Sequence, residues 1–171
     1  MAEGAAAIDE LRDTEGRLDR AAIRAILPYG SDFLFVDEIT KLTTTEVEAH
    51  YTVPADASYI QAHFEGLPIM PGVLVGEGMA QAGTLLVRYN LEEHADKDIL
   101  AFQIESARFP GPAQPGDRLR FLVHLVKLRS RAARLEGTAF VGEREVCKAR
   151  LVLGIIERDK LRTELLTLSG S

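Results

Sequence analysis

The chain has 171 residues, enough for one domain with a substantial core and too few for two independent domains. Its 20 Lys and Arg residues against 26 Asp and Glu residues give a net charge of -6, which disfavours a broad electrostatic grip on nucleic acid. Hydrophobic residues make up 46% and charged residues 27% of the chain, values typical of a globular protein and not of a disordered one.

Cysteine content and the N-terminal segment indicate where the protein works. A single cysteine, Cys147, excludes an intramolecular disulfide and a multi-cysteine zinc site and is typical of a reducing compartment, so we expect a cytoplasmic protein. Residues 1–16 are acidic and lack the basic start and the apolar run of a signal peptide. The longest weakly polar stretch, residues 72–87, is too short to span a bilayer and contains Glu77, so we expect no membrane span.

Short elements are predicted in the first third of the chain. We interpret residues 1–18 as a loosely ordered extension, because no apolar face is sustained there. Asp19 can cap a short helix that follows it. Two strand-like segments come next, at residues 33–42 and 45–53, and Thr43-Thr44 is expected to turn the chain between them.

Residues 72–89 are apolar almost all round over about five helical turns, which predicts a buried central helix. Four strand-like segments follow it: 99–109, 117–129, 133–141 and 145–157. Turn residues between them favour antiparallel pairing of successive strands. The order predicts an α+β domain over residues 19–157, in which a curved antiparallel sheet wraps around the helix. The tail at 158–171 is predicted either as a short amphipathic helix or as a frayed end.

Two candidate functional groups precede or begin the central helix. His63 lies in a loop stiffened by Pro68 and Pro71, and imidazole is the side chain best suited to accept a proton near neutral pH. The alternative is a structural histidine that caps the loop. Gly72 begins the helix, where backbone N–H groups without helical partners could stabilise an oxygen that gains negative charge. The alternative is a helix start that merely tolerates glycine.

Glu77 is the only ionisable residue between positions 72 and 87. Burial in an apolar helix favours a neutral carboxylic acid, which can donate a proton. Gln81 follows one turn later on the same helix face and can hold the carboxyl in place. The alternative is a buried glutamate paired with an arginine, for which Arg108 is a candidate. Together, His63, Gly72 and Glu77 could remove a proton next to a carbonyl and expel a hydroxyl group.

The segment at residues 63–81, HFEGLPIMPGVLVGEGMAQ, resembles the signature of the bacterial (3R)-hydroxyacyl-acyl-carrier-protein dehydratases of fatty-acid synthesis. Two flanking segments, LPYGSDFLFVDEI and IESARFPGPAQPGDRL, resemble further motifs of that family. The likeness covers residues 22–156 and implies the hotdog fold. It also implies a homodimer with the two sheets side by side, often assembled further into a trimer of dimers.

The resemblance implies a role for each candidate residue. His63 of one subunit would face Glu77 of the other and act on the alpha proton of a 3-hydroxyacyl thioester carried by an acyl carrier protein. The backbone N–H of Gly72 would hold the thioester oxygen, and Glu77 would assist departure of the hydroxyl as water, leaving a trans-2-enoyl thioester. No metal or organic cofactor is implied, and no spacing of His, Cys, Asp and Glu in the chain predicts a metal site.

The chain departs from the family pattern without losing His63, Gly72 or Glu77. The departures are Tyr29-Gly30 for His-Arg, Asp32 and Glu65 for prolines, and Gly78 for an alanine. They are expected to reshape the acyl tunnel and carrier-protein docking, which favours a specialised pathway with unusual or long acyl chains. Gly78 in particular is expected to leave room beside the acid for a bulkier substrate.

The place of two aromatic residues and two alternative functions are also considered. Phe102 and Phe109 lie at strand spacing and are predicted to be core residues, with the alternative that one of them lines the acyl tunnel. A hotdog acyl thioesterase would use an ionised Glu77 to activate water, although the Glu-x-x-x-Gln helix favours elimination. A non-catalytic homologue that binds acyl carrier protein is the remaining alternative.

Overall fold

The architecture is that of a computed structural model, which describes residues 2–160 and Thr163. Its helices and strands are, in chain order, α1 (Glu3–Asp9), α2 (Arg20–Ile26), β1 (Glu38–Leu42), β2 (Glu46–Thr52), α3 (Ser58–Ala62), α4 (Gly72–Tyr89), β3 (Lys97–Arg108), β4 (Arg118–Arg129), β5 (Ala132–Val141) and β6 (Arg144–Glu157). Short 3₁₀ turns lie at Ser31–Phe33 and His94–Asp96. The predicted α+β class, with one long helix against a curved antiparallel sheet, is confirmed.

The six strands form one antiparallel sheet in the order β1-β2-β4-β5-β6-β3. Successive pairing was predicted for all the strands after the helix, and this is wrong for β3, which pairs with β6 at the far edge. The reason is that β2 takes β4 as its neighbour, with Val47 opposite Val123. Helix α4, at about 1.5 Å per residue, is long enough to carry the chain from β2 across the sheet to that other edge.

Helix α4 has the predicted boundaries and lies against the inner face of the sheet. Every residue from Gly78 to Arg88 is buried. A Cβ on Gly78 would lie 2.6 Å from Cζ of Phe121 and 3.1 Å from the carbonyl oxygen of Phe35. The prediction that Gly78 leaves room for a bulkier substrate is therefore wrong, because the Phe121 ring already fills the space beside it.

Residues 3–9 of the predicted loose extension at 1–18 form the helix α1. Helix α1 buries Ala5 and Ile8 and lies against α4. The backbone N–H of Gly4 donates to the carbonyl of Leu91 at 2.9 Å, and a Cβ there would lie only 2.0 Å from the Arg88 carbonyl oxygen. The close approach of α1 to α4 requires glycine at position 4. A sustained apolar face in the sequence would not reveal such a contact.

The predicted first strand is shorter in the structure. Residues 33–37 do not belong to it, and β1 begins at Glu38. The N–H of Phe35 donates to the side chain of Gln81 at 2.8 Å, so the middle of this stretch is bonded to α4, and pairing with β2 starts only at Asp37, whose N–H donates to the His50 carbonyl. The hairpin between β1 and β2 is confirmed, with the N–H of Thr43 bonded to the carbonyl of Glu46.

Strand β3 is exposed from Leu100 onward. All residues from Leu100 to Arg108 are exposed, with Phe102 at 78%, and Phe109 directly after the strand is 46% exposed. The prediction that Phe102 and Phe109 are core residues is therefore wrong, because β3 lies at the edge of the sheet, where β6 is its one partner among the described strands. At the other end of the predicted domain, residues 158–160 are helical, and the rest of the predicted tail lies outside the described residues apart from Thr163. Within the described residues, none of the helices has the length and apolar character needed to cross a membrane.

A substitution on α4 tests the close packing of Gly78. In Gly78→Ala, the new methyl group would overlap the Phe121 ring, so the free energy of unfolding should fall by about 1–3 kcal/mol. Gly76→Ala is the matched control, because a Cβ there meets nothing within 4 Å and alanine has the higher helix propensity. Urea unfolding monitored by circular dichroism measures both variants. Equal stability of Gly78→Ala and Gly76→Ala would contradict the packing argument.

Candidate active site

His63 is positioned by the loop that connects α3 to α4. It follows the last residue of α3, and its Nδ1 lies 3.3 Å from the carbonyl oxygen of Ile69. A carbonyl oxygen only accepts, so this hydrogen bond places the proton on Nδ1 and leaves Nε2 able to accept one. The imidazole stacks on Phe64 at 4.1 Å between ring centroids, and it is half-buried. The loop therefore holds the imidazole in a fixed orientation through Nδ1.

Gly72 begins α4 directly after Pro71, as the sequence predicts. The first helical N–H to find a partner is that of Leu74, which donates to the Pro71 carbonyl at 2.9 Å. The N–H of Gly72 consequently has no acceptor within the helix. A Cβ at Gly72 would lie 2.7 Å from Cδ1 of Phe109, so the absence of a side chain is required by this aromatic ring as well as by any ligand.

The Glu77 carboxyl is held by Gln81, the residue predicted to support it. Nε2 of Gln81 donates to Oε1 of Glu77 at 3.0 Å and to the Phe33 carbonyl at 2.9 Å, and the Gln81 amide is fully buried. Glu77 itself is half-buried. Among the salt bridges of residues 2–160, none joins Glu77 to Arg108, the partner that the alternative interpretation suggested.

Tyr29 is a neighbour of Glu77 that sequence analysis noted only as a departure from a family pattern. Burial and, after it, the negative charge of Glu77 raise the pKa of Tyr29 to about 12. The phenol therefore stays protonated at neutral pH and can donate a hydrogen bond. No periodicity signal predicts this contact, because Tyr29 lies between α2 and the 3₁₀ turn, in a stretch without regular structure.

A narrow cleft of about 90 Å³ opens beside Glu77 between α4, β3 and β6. Small and apolar side chains line it together with the carboxyl: Ala101, Ile104, Ala107, Cys147 and Ala149. Phe109 also lines the cleft, whereas Phe102 and Gly78 do not. Burial raises the pKa of the Cys147 thiol to about 12, which makes it an unreactive part of the wall. The cleft suits an apolar acyl chain that passes beside the Glu77 carboxyl.

The structure of one chain does not bring His63 and Glu77 into contact. The hydrogen bond of His63 goes to Ile69, whereas that of Glu77 goes to Gln81, and His63 is absent from the lining of the cleft. A single described chain thus holds the proposed base and the proposed acid at separate places.

Comparisons with known proteins agree on one family. The model of the FabA-like domain matches residues 27–150. A protein of Koribacter versatilis named 3-hydroxyacyl-[acyl-carrier-protein] dehydratase FabZ is 37% identical over 142 residues, which covers 82% of this chain and 91% of that protein.

Two solved structures share the fold. The dehydratase heterocomplex ApeI:P from Xenorhabdus doucetiae has a TM-score of 0.70 at 17% identity and covers 87% of this chain and 97% of its own. A thioesterase superfamily member from Thermus thermophilus has a TM-score of 0.62 at 18% identity and covers 73% and 90% of the two chains. At these identities the structures show the fold alone. The family is shown by the family model and by the sequence relative. This chain has the hotdog fold and belongs to the FabA-like family.

Proposed function

We propose that this protein removes water from (3R)-3-hydroxyacyl thioesters carried on an acyl carrier protein and so forms trans-2-enoyl thioesters for fatty-acid biosynthesis. The observation that carries the proposal is the Glu77 carboxyl, held by Gln81 at the side of an apolar cleft within the family-matched residues. The Gly72 N–H and the His63 imidazole supply the other two groups that such an elimination needs.

The proposed reaction divides the work among these three groups. Nε2 of His63 takes the proton from the carbon next to the thioester carbonyl, and the electron pair of that C–H bond moves toward the carbonyl oxygen. The Gly72 N–H at the positive end of α4 stabilises the charge on that oxygen. Glu77 then gives a proton to the hydroxyl group, the C–O bond breaks, and water leaves as the double bond forms. A proton passes back from the imidazole to the carboxylate to complete the cycle.

The active unit that we propose is a homodimer in which β3 of one chain pairs with β3 of another. The position of β3 at the edge of the sheet, with Phe102 exposed, supports this arrangement, because long apolar edge strands are normally paired or covered. His63 of one subunit would then approach Glu77 of the other. Further assembly into a trimer of dimers and a cytoplasmic location stay predictions.

An acidic acyl carrier protein is the partner that we propose for delivering the substrate. Arg108 and Lys148 are neighbours in register on β3 and β6, and both are exposed. They lie at the same end of the sheet as Phe109, which directly follows Arg108 and lines the cleft beside Glu77. Positive charge at this end would attract an acidic protein toward the cleft.

Substitution of the base and the acid tests the assignment. His63→Ala and Glu77→Gln should each lower kcat by about 10²-fold to 10⁴-fold, the contribution of a general base or acid. The reaction is followed by the absorbance of the conjugated enoyl thioester. His124→Ala and Glu143→Gln, at exposed positions on β4 and in the β5–β6 turn, are matched controls and should retain activity. Release of free thiol instead of enoyl product would indicate a thioesterase, and no turnover of the natural protein would indicate a non-catalytic carrier binder.

Mixing the two inactive variants tests whether the site is shared between subunits. After random subunit exchange, about half of the dimers are hybrids that hold one intact site of two, so activity should recover to about a quarter of the natural level. Mass spectrometry of differently tagged chains verifies the exchange. Absence of recovery despite proven exchange would reject a site built from two chains.

A further inference from the structure

A second cavity lies beyond the Glu77 cleft, on the same face of α4. Glu77, Gln81, Thr84 and Arg88 follow one another at helical spacing, so their side chains share one side of the helix. Thr84 and Arg88 line this cavity, which has a volume of about 380 Å³. Arg88 is eleven residues after Glu77, about 16 Å along the helix axis. We call this space the polar cavity; its polar lining residues are Tyr29, Thr84, Arg88, Asp98 and Arg158.

Arg88 is an unusual residue for the end of an apolar cleft. Its side chain is only 2% exposed, and two of its nitrogens donate to the carbonyls of His94 and Lys97. Its third nitrogen, Nε, is buried and has no hydrogen-bond partner among the described residues. Both known partners are neutral carbonyls, so the guanidinium charge has no carboxylate bonded to it. Burying a charge in this way is costly unless an opposite charge or further hydrogen bonds compensate it.

The other charges of the polar cavity do not neutralise Arg88. Asp98 is already paired with Arg158, whose Nε lies 3.2 Å from the Asp98 carboxylate. Burial and the nearby charge of Arg158 both lower the pKa of Arg88, and Asp98 only partly opposes them. Among the described residues that line the cavity, two guanidinium groups thus share one carboxylate, which leaves one positive charge in excess.

The polar cavity and the Glu77 cleft lie end to end. Ala80 lines the cleft and Thr84, one turn later on α4, lines the cavity. On β3 the two residues concerned are Ala101, which lines the cleft, and Ile99, which lies on the same strand face and lines the cavity. Tyr29 lines the cavity and interacts electrostatically with both Glu77 and Arg88. An acyl chain that extends from Glu77 along α4 therefore leads into the polar cavity.

Building on the proposed function, we propose that the polar cavity binds a carboxylate at the far end of the acyl chain, so that the substrate is the thioester of a 3-hydroxy dicarboxylic acid. The distal carboxylate is bound by the guanidinium groups of Arg88 and Arg158, which both line the cavity, and it neutralises the excess charge. A methyl end would leave Arg88 uncompensated and would gain no hydrogen bond. The enzyme consequently selects its substrates by the chemistry of the chain end as well as by length.

The test compares acyl-carrier-protein thioesters of equal chain length that end in either a carboxylate or a methyl group. For the natural protein, kcat/KM should favour the carboxylate by about 10-fold to 100-fold, the range expected of a hydrogen bond to a charged group. Several chain lengths are measured, so that a misfit in length is not mistaken for a lack of preference. The ratio between the two substrates is the readout, because changes in the catalytic step cancel in it.

Variants show whether the polar cavity is responsible for the preference. Arg88→Met keeps the aliphatic stem and should reverse the ratio in favour of the methyl end. Because Arg88 also holds the carbonyls of His94 and Lys97, Arg158→Met is a second variant, which removes the other guanidinium group, frees Asp98 to compensate Arg88 and should lower the ratio several-fold. Arg24→Met, at an exposed position on α2, is the matched control and should leave the ratio unchanged.

The outcomes separate this inference from the function on which it rests. Dehydration of both substrates without preference for the carboxylate overturns the inference and leaves the dehydratase intact. A carboxylate preference that survives in both folded variants, at Arg88 and at Arg158, also overturns it, because another part of the protein must then recognise the chain end. Failure of the natural protein to dehydrate either substrate overturns the proposed function and this inference together.

Discussion

The buried amide of Gln81 is the interaction on which the rest of the site depends. Its oxygen accepts from the N–H of Phe35, and its nitrogen donates to the carbonyl of Phe33 and to Glu77. One side chain thus joins the segment before β1 to the middle of α4 and holds the proposed acid. Removal of this amide would leave the N–H of Phe35 and the carbonyl of Phe33 without these partners. That loss is destabilising, because an unpaired backbone group in a packed interior is costly. The geometry of the carboxyl is therefore a property of the core.

Most of the regular structure could be predicted from the sequence, because it follows from local patterns. The uniform apolar character of residues 72–89 predicts α4, and the alternation along β2 and β4 to β6 predicts strands. Partner choice is different, since the pairing of β3 with β6 brings together residues far apart in the chain. The same is true of α1, whose contact with α4 depends on how closely Gly4 approaches the Arg88 carbonyl.

The sequence predicts the chemistry of the candidate site, and that assignment stays a prediction; the surroundings of the site could not be predicted. His63, Gly72 and Glu77 stand out because each is a distinctive residue type at a helix start or in an apolar stretch. Glycine is the weaker signal: the structure explains Gly72 and Gly78 by the aromatic rings of Phe109 and Phe121, which take the space a side chain would need. Arg88 could have been found from the sequence as a charged residue on a helix otherwise predicted to be buried, on the face of Glu77.

Strand β3 both lines the Glu77 cleft and forms an edge of the sheet. Its inward side chains form one wall of the Glu77 cleft, while its outer edge presents backbone donors and acceptors that no strand of the described chain satisfies. Any strand that docked on this edge would fix the twist of β3, and with it the bore of the cleft. In the proposed homodimer, association and substrate fit would therefore be coupled, because separation of the docked strands would loosen this wall of the cleft.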